Sequence, residues 1–510
     1  MKKFFILCLL ILTFLASNPP HARIIHVPAD ASTIQGGISG AVDGDTVLVA
    51  KGHYHERIDF LGKAILVASS FIFDEDTNTV DSTIIDANIS VLGASDSGSV
   101  VFFVSGEDSS SCIVGFTIQN GRGLRLGELS YGGGIICFSS GPRILANKIV
   151  DNYAMFGGGI CCIAGSSTPL IKANRLIDNH SEVGGAILIE RSLPLIKDNL
   201  LVDNHALRKG GGIFFKLCTL TVVGNRVEGN TTDGFGGGVC GHSGSLTLEG
   251  NEIVRNTCVT KGGGLYCASL VPATISYNLF DGNIAENGGG IYTANCSSFI
   301  TSNTVVRNSA TGDGGGILIG GLGHDPVVVN NIVCLSTSGE GIWCRLDGTP
   351  FISFNDVWGN AFGNFYDCPA GVGDTSWGFN FNGTPCDSFH NIVADPLFAD
   401  SIGFGLLCAS PCIDAGDPNF SAPPDSGGCR IDMGAHEYSY VLGDANSDGS
   451  VTPKGAITIG DLVFVVNYLF RWGIEPCPCH AADTNCDGEV NVADIVCLVN
   501  YLYRGGDLPC

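Results

Sequence analysis

A glycine triplet returns along this chain at nearly constant intervals, and that repeat limits the fold more than any other feature. Gly-Gly-Gly begins at Gly132, Gly157, Gly210, Gly236, Gly262, Gly288 and Gly314, with Gly184-Gly185-Ala186 filling the one gap. Paired asparagines precede the triplets at Asn147/Asn152, Asn174/Asn179, Asn199/Asn204, Asn225/Asn230, Asn251/Asn256, Asn278/Asn283 and Asn303/Asn308. A fixed period of this size predicts a solenoid or array. Between the glycines run only short alternating apolar stretches, as in 251–256 and 262–267. Strands fit that pattern better than helices, which glycine disfavours.

Coils of parallel strands lie about 4.8 Å apart, so each side chain sits on its counterpart one period away. Columns of asparagine can then pass amide hydrogen bonds from coil to coil. Ile135, Ile160, Ile187, Ile213, Val239, Leu265, Ile291 and Ile317 form an interior column, and Cys137 and Cys162 read as stacked core thiols. This pattern resembles the right-handed parallel β-helix of the pectin-lyase superfold and the repeats of outer-membrane adhesins. The expected fold is therefore all-β, a right-handed parallel β-helix solenoid. The resemblance implies polysaccharide as a ligand and leaves three roles open: glycoside hydrolase, polysaccharide lyase or non-catalytic adhesin.

The expected organisation is a signal peptide over 1–22, a β-helix over 23–360, an irregular C-terminal cap over 361–440 and a small helical module over 441–510. A basic start followed by a short apolar run marks the signal peptide, and no second run of spanning length follows. The mature chain is thus expected to be secreted or displayed on a cell surface, without a transmembrane span. Ser32 is expected to cap a short helix whose Ile34, Ile38 and Val42 close one end of the coil. The stretch 121–131 interrupts a coil and should project as a loop. Trp343, Trp358 and Trp377 are candidates for stacking on sugars or for cap packing. Export favours disulfides, expected at Cys368–Cys386 and between two of Cys408, Cys412 and Cys429.

Formal net charge is −24, with Asp+Glu 50 against Lys+Arg 26. That excludes nucleic acid as a natural partner and suits a calcium protein. The tail is a duplication: Asp444-Ala-Asn446-Ser-Asp448-Gly449 is echoed by Asp483-Thr-Asn485-Cys-Asp487-Gly488. An apolar helix-forming stretch follows each. A hard cation takes six to eight oxygens, and such loops supply them at positions 1, 3, 5, 7, 9 and 12. The second loop offers Asp483, Asn485, Asp487, Glu489, Asn491 and Asp494. The first offers Asp444, Asn446, Asp448, Ser450, Thr458 and Asp461, with six extra residues around 452–457. The tail is similar to a type I dockerin, an EF-hand-like module. The resemblance implies calcium as cofactor and a cohesin-type protein as partner. It places Ile459, Gly460, Val466 and Asn467, with Val492, Ala493, Val499 and Asn500, on the docking face.

One further column invites a catalytic reading. Asp151, Asp178 and Asp203 each precede the second asparagine of their coils and should stack. Like charges in register are unfavourable, and Lys148 and Arg175 are candidates to offset them. Carboxylates about 5 or 10 Å apart bracket the separations of retaining and inverting glycosidases. His53 and His55 flank a tyrosine in an early turn and read as a surface feature.

Overall fold

A computed structural model of the chain describes residues 22–88, 98–165, 167–321, 325–346, 349–420, 430–438, 457–471, 476, 479–485 and 490–504. The signal-peptide reading therefore falls outside the described residues. Among them, no helix is long and apolar enough to cross a membrane. Residue contacts divide the chain into two units, one of 1–273 with 281–296 and one of 274–280 with 297–510.

The first unit is a parallel β-solenoid. One coil runs Arg143–Leu145, Lys148–Val150, Tyr153–Phe156 and Ile160–Ile163. The next, Leu170–Lys172, Arg175–Ile177, His180–Val183 and Ile187–Glu190, pairs with it strand for strand in parallel. Ile135 lies over Ile160 and Cys137 over Cys162, all fully buried. The interior column and the stacked thiols are as expected.

Both asparagine columns are ladders. Asn152 donates to Asn179, Asn179 to Asn204, Asn204 to Asn230 and Asn230 to Asn256, each through backbone N–H and side-chain Nδ2 to one Oδ1. The residue before each asparagine turns the corner with positive φ: Ala146, Ala173 and Asp198 at one bend, Asp151, Asp178 and Asp203 at the other. A left-handed non-glycine residue costs roughly 1–2 kcal/mol, and the buried amide ladder offsets that strain.

The triplet glycines have separate jobs. Gly157 turns with φ +68°. A Cβ on Gly158 would stand 2.5 Å from the His180 carbonyl oxygen. Only glycine lets the coils close at that point.

An early helix, Ile34–Gly40, buries Ile34 and Ile38 as expected, but two details differ. Thr33 caps it, accepting from the Gly36 N–H, rather than Ser32. Val42 lies beyond the helix and is exposed. The insertion at 121–131 is an antiparallel hairpin, Leu124–Leu126 with Leu129–Tyr131.

The second unit also has parallel strands, Thr304–Val306, Ile332–Cys334 and Asp356–Trp358. Its asparagine ladder runs from Asn278 through Asn303, Asn331 and Asn355 to Asn391. Past Asn391 the chain turns back. Phe404, Leu406, Cys412, Ile413 and Met433 pack on Leu279, Val306, Ile332 and Cys334. Those four alternate with the interior residues Phe280, Val305 and Val333, so they face out of the coil. The expected end cap thus covers a flank, because these strands present apolar residues on both faces.

Of the two expected disulfides, the one between Cys368 and Cys386 is revised. Cys368 faces Cys344, Sγ to Sγ 2.6 Å, while Cys386 lies beside His390. Cys408 is disulfide-bonded, and Cys412 is a free thiol against Asp356.

In the tail, helices Ile459–Arg471 and Val492–Arg504 follow the two loops. They share a small core of Ile457, Val465, Ala482 and Leu498.

Candidate functional site

The first unit carries an apolar cluster on its outer surface. In the strands after the triplets, residues alternate inward and outward. The outward positions are Ile136, Cys161, Leu188, Phe214 and Cys240, yet each is buried. They are covered by residues ending the preceding strands, including Tyr131, Phe156, Val183 and Phe235. The glycine turn folds the chain back at this corner and makes a concave groove. Tyr131 stacks on Phe156, centroids 5.0 Å apart, and Tyr266 on Tyr292 at 5.4 Å. The hairpin at 121–131 contributes Leu124 and Tyr131, so the insertion borders the groove.

Midway along, the groove opens into a cleft of about 320 Å³. Leu188 and Phe214 line its apolar part, between Phe156 and Val183 and the polar Glu190, Lys216 and His242. Arg208 and Lys209 complete it. Arg208, Lys209 and Lys216 outnumber Glu190 in its lining and make this a basic site on a chain of net charge −24, with Arg208 also 3.9 Å from Glu182. Glu190 is engaged by Arg191 at 3.5 Å. The Lys209 ammonium sits 5.8 Å from the Phe235 ring centre, and that of Lys261 5.1 Å from Tyr292. Burial, then the nearby Lys209 and Lys216, push the His242 imidazole below its ordinary pKa. It is therefore neutral at pH 7 and can accept or donate a hydrogen bond. Aromatic faces beside fixed cations suit a ligand with apolar ring faces and anionic substituents.

The aspartate column lies elsewhere. Asp151, Asp178 and Asp203 are exposed on the left-handed corner, and none lines the cleft. Burial, then Asp178 and Glu228, raise the Asp203 pKa. Its Oδ1 would stand 2.4 Å from a Cβ built on Gly229, so the carboxylate leans over the next coil. Lys148 and Arg175 do not offset the column. Both pair with Asp81, at 3.0 and 2.9 Å, from the inserted helix Thr77–Ser82.

Of the calcium-loop residues, Asp444, Asn446, Asp448, Ser450, Asp487 and Glu489 lie outside the described residues. Asp461, Asp483 and Asp494 are fully buried. The two position-twelve aspartates have matching geometry. Asp461 Oδ2 accepts from the Thr458 N–H at 2.7 Å, and Asp494 Oδ2 from the Asn491 N–H at 2.7 Å. Thr458 and Asn491 in turn accept from Gly460 and Ala493. Each set is a capping box at a helix start. Asp494 Oδ1 also receives the Asn485 N–H at 3.3 Å, which turns the carboxylate toward its loop. Exposed apolar residues pair 33 apart: Ile459 with Val492, Val463 with Val496, Phe470 with Tyr503. Gly460 and Ala493 are exposed beside them, whereas Val466, Asn467, Val499 and Asn500 are half-buried.

Among the tryptophans, Trp377 is 76% exposed, Trp343 meets Tyr366 edge-on and Trp358 packs in the flank cover.

The groove was missed from sequence. Its signal was present: the position before the first six triplets reads Tyr131, Phe156, Val183, Lys209, Phe235, Lys261, and the second after the first seven Ile136, Cys161, Leu188, Phe214, Cys240, Tyr266, Tyr292. Outward apolar columns call for a concave surface.

Two family models match parts of the chain. A family model described as a right handed beta helix region matches residues 67–253. A second, for the periplasmic copper-binding protein NosD, matches residues 196–388. The crystal structure of pectate lyase Pel9A aligns at 15% identity and TM-score 0.39, covering 83% of this chain and 98% of that one. No curated protein matches. The chain is an all-β parallel solenoid, and over residues 67–253 it matches a right-handed β-helix.

Proposed function

We propose that this protein works outside the cytoplasm, holding an acidic polysaccharide in the groove while a calcium-loaded tail docks it to a cohesin-type partner. The basic cleft on an acidic chain carries the reading. Uronate carboxylates would meet Arg208, Lys209 and Lys216, with sugar faces on Phe156 and Phe214. The beta-helix match and the periplasmic description of NosD support an extracytoplasmic, glycan-related role. The dockerin-like tail rests on its duplicated loops, on the helix after each and on apolar pairs exposed 33 residues apart. Calcium would be held by Asp483, Asn485, Asp487, Glu489, Asn491 and Asp494, and by the corresponding first-loop set.

Affinity electrophoresis through polygalacturonate tests the binding. The wild-type chain should be retarded, more weakly in high salt, and not in a neutral glucan. Lys209→Gln with Lys216→Gln should weaken retention roughly tenfold, about 1.4 kcal/mol. Equal retention in neutral and acidic gels would refute the proposal.

A second reading, turnover by Asp151, Asp178 and Asp203, is favoured by the raised Asp203 pKa alone. It requires glycan cleavage that Asp178→Asn abolishes. Binding without cleavage leaves the adhesin role.

A further inference from the structure

Three successive strands bring together residues far apart in sequence. Gly52–Tyr54 pairs in parallel with Thr83–Asp86, with His53 beside Ile84 and Tyr54 beside Ile85. One step further, that register sets residue 55 beside Asp86. Alternation puts 53, 55, 84 and 86 on one face. It is the outer face, because Ile85 between them is fully buried in the core. His53 and His55 are exposed with rings stacked, centroids 4.2 Å apart and planes 25° from parallel. His53 Nε2 lies 2.9 Å from Asp86 Oδ2. One donor atom from each of the three residues fits within a 4.8 Å span.

Asp86 is held for this role. Its side chain is buried beneath the histidines. Oδ1 accepts from the Asn88 N–H at 2.8 Å and Asn120 Nδ2 at 2.9 Å, and Oδ2 from Gln119 Nε2 at 2.9 Å. These donors are neutral, and among the described residues no lysine or arginine forms an ion pair with Asp86. A buried carboxylate without a cation is costly. Neutral amides that fix its orientation are what surrounds a metal-ligating carboxylate.

We propose that His53, His55 and Asp86 bind a divalent transition cation of the zinc or copper type. Two imidazoles and one carboxylate suit such ions, whereas calcium and magnesium prefer oxygen alone. Tetrahedral bonds of about 2.0–2.2 Å set donor atoms roughly 3.4 Å apart. The exposed imidazoles reach that spacing by side-chain rotation, with the buried carboxylate as the fixed point. Three protein ligands at the surface leave a fourth position for water, so the ion exchanges with solvent. The site is on a different strand set from the cleft.

Isothermal titration of zinc chloride into the full chain, without added histidines and in excess calcium, tests this. Calcium occupies oxygen-only sites. One zinc equivalent is expected. His55→Ala is the cleanest variant, because His55 contacts its neighbours through ring stacking. It should weaken that equivalent at least tenfold while leaving the melting temperature unchanged, and His53→Ala should weaken it likewise but also lower the melting temperature, because it removes a hydrogen bond to the buried Asp86. His180 and His205 lie on adjacent coils, with centroids 6.1 Å apart, and offer the competing location. The proposal is overturned if zinc binding is absent, if it survives both substitutions at 53 and 55, or if His180→Ala removes it instead.

Discussion

Removing one rung of the ladder, Asn204→Ala, should cost about 3–4 kcal/mol, and the coordinates say which groups carry the loss. Asn204 is fully buried. Its Oδ1 accepts from the backbone N–H and Nδ2 of Asn179, at 3.0 and 2.9 Å. Its Nδ2 donates to Leu176 O, Val202 O and Asn230 Oδ1. After truncation several groups keep a partner. Asn179 Nδ2 still reaches Ile149 O and Ile177 O, Val202 O keeps the Asp178 N–H, and Asn230 Oδ1 keeps the Asn204 N–H. The Asn179 N–H loses its acceptor. Orphaning that buried donor costs about 2 kcal/mol, and the other lost bonds, most of whose groups keep a second partner, together add about 1–2. Asn204→Asp should be worse, since it keeps the acceptor but turns oxygen toward three acceptors. Hydrogen exchange by mass spectrometry reads the effect locally, which suits a repeat protein whose unfolding need not be all-or-none. Peptides spanning 174–206 should lose protection, and the tail helices should not. Unchanged protection there would refute the ladder's role in holding the coils.

Asp203→Gly, one residue away, should be neutral to mildly stabilising in thermal melts, because φ is +54° there and Gly229 and Gly282 already fill the same place in later coils. Asp356, driven by burial to a pKa of about 7 from 3.8, should make the second unit pH-sensitive. The folded state binds the extra proton, so stability is full below about pH 4 and falls as pH rises to about 7, by on the order of 4 kcal/mol at 1.36 per unit. Melts between pH 5 and 8 should show that slope, and Asp356→Asn should reduce it, the remainder coming from Glu437 and Asp432, whose pKa values burial also raises. Asp494→Asn should weaken calcium binding by calorimetry at least tenfold, and Asp461→Asn should do less, because the first loop carries six extra residues. Peptide mapping after mild oxidation should recover a Cys344–Cys368 cross-link and no Cys368–Cys386 peptide.

What the sequence disclosed depends on periodicity. The triplets and paired asparagines repeat every coil, so strand stacking, the ladders and the thiol pair could be read directly. The tail helices were legible because the duplication repeats at 33 residues. Contacts between unlike segments were not. Asp81 reaches Lys148 and Arg175 from an inserted helix, and no column records it. The flank cover was taken for an end cap because the phrases at 410–416 and 430–438 say nothing of which face they meet. Cys344 sits inside a regular strand, Ile342–Leu346, and was passed over as a partner for Cys368. The groove was missed for another reason: outward apolar positions look like core until the corner's concavity is known.

Diffraction from crystals soaked with a short galacturonate oligomer tests the central claim most directly. The account predicts density along the groove, with sugar faces on Phe156 and Phe214 and carboxylates at Lys209 and Lys216. An oligomer bound along the Asp151–Asp178–Asp203 corner instead, with the groove left to solvent, would contradict it.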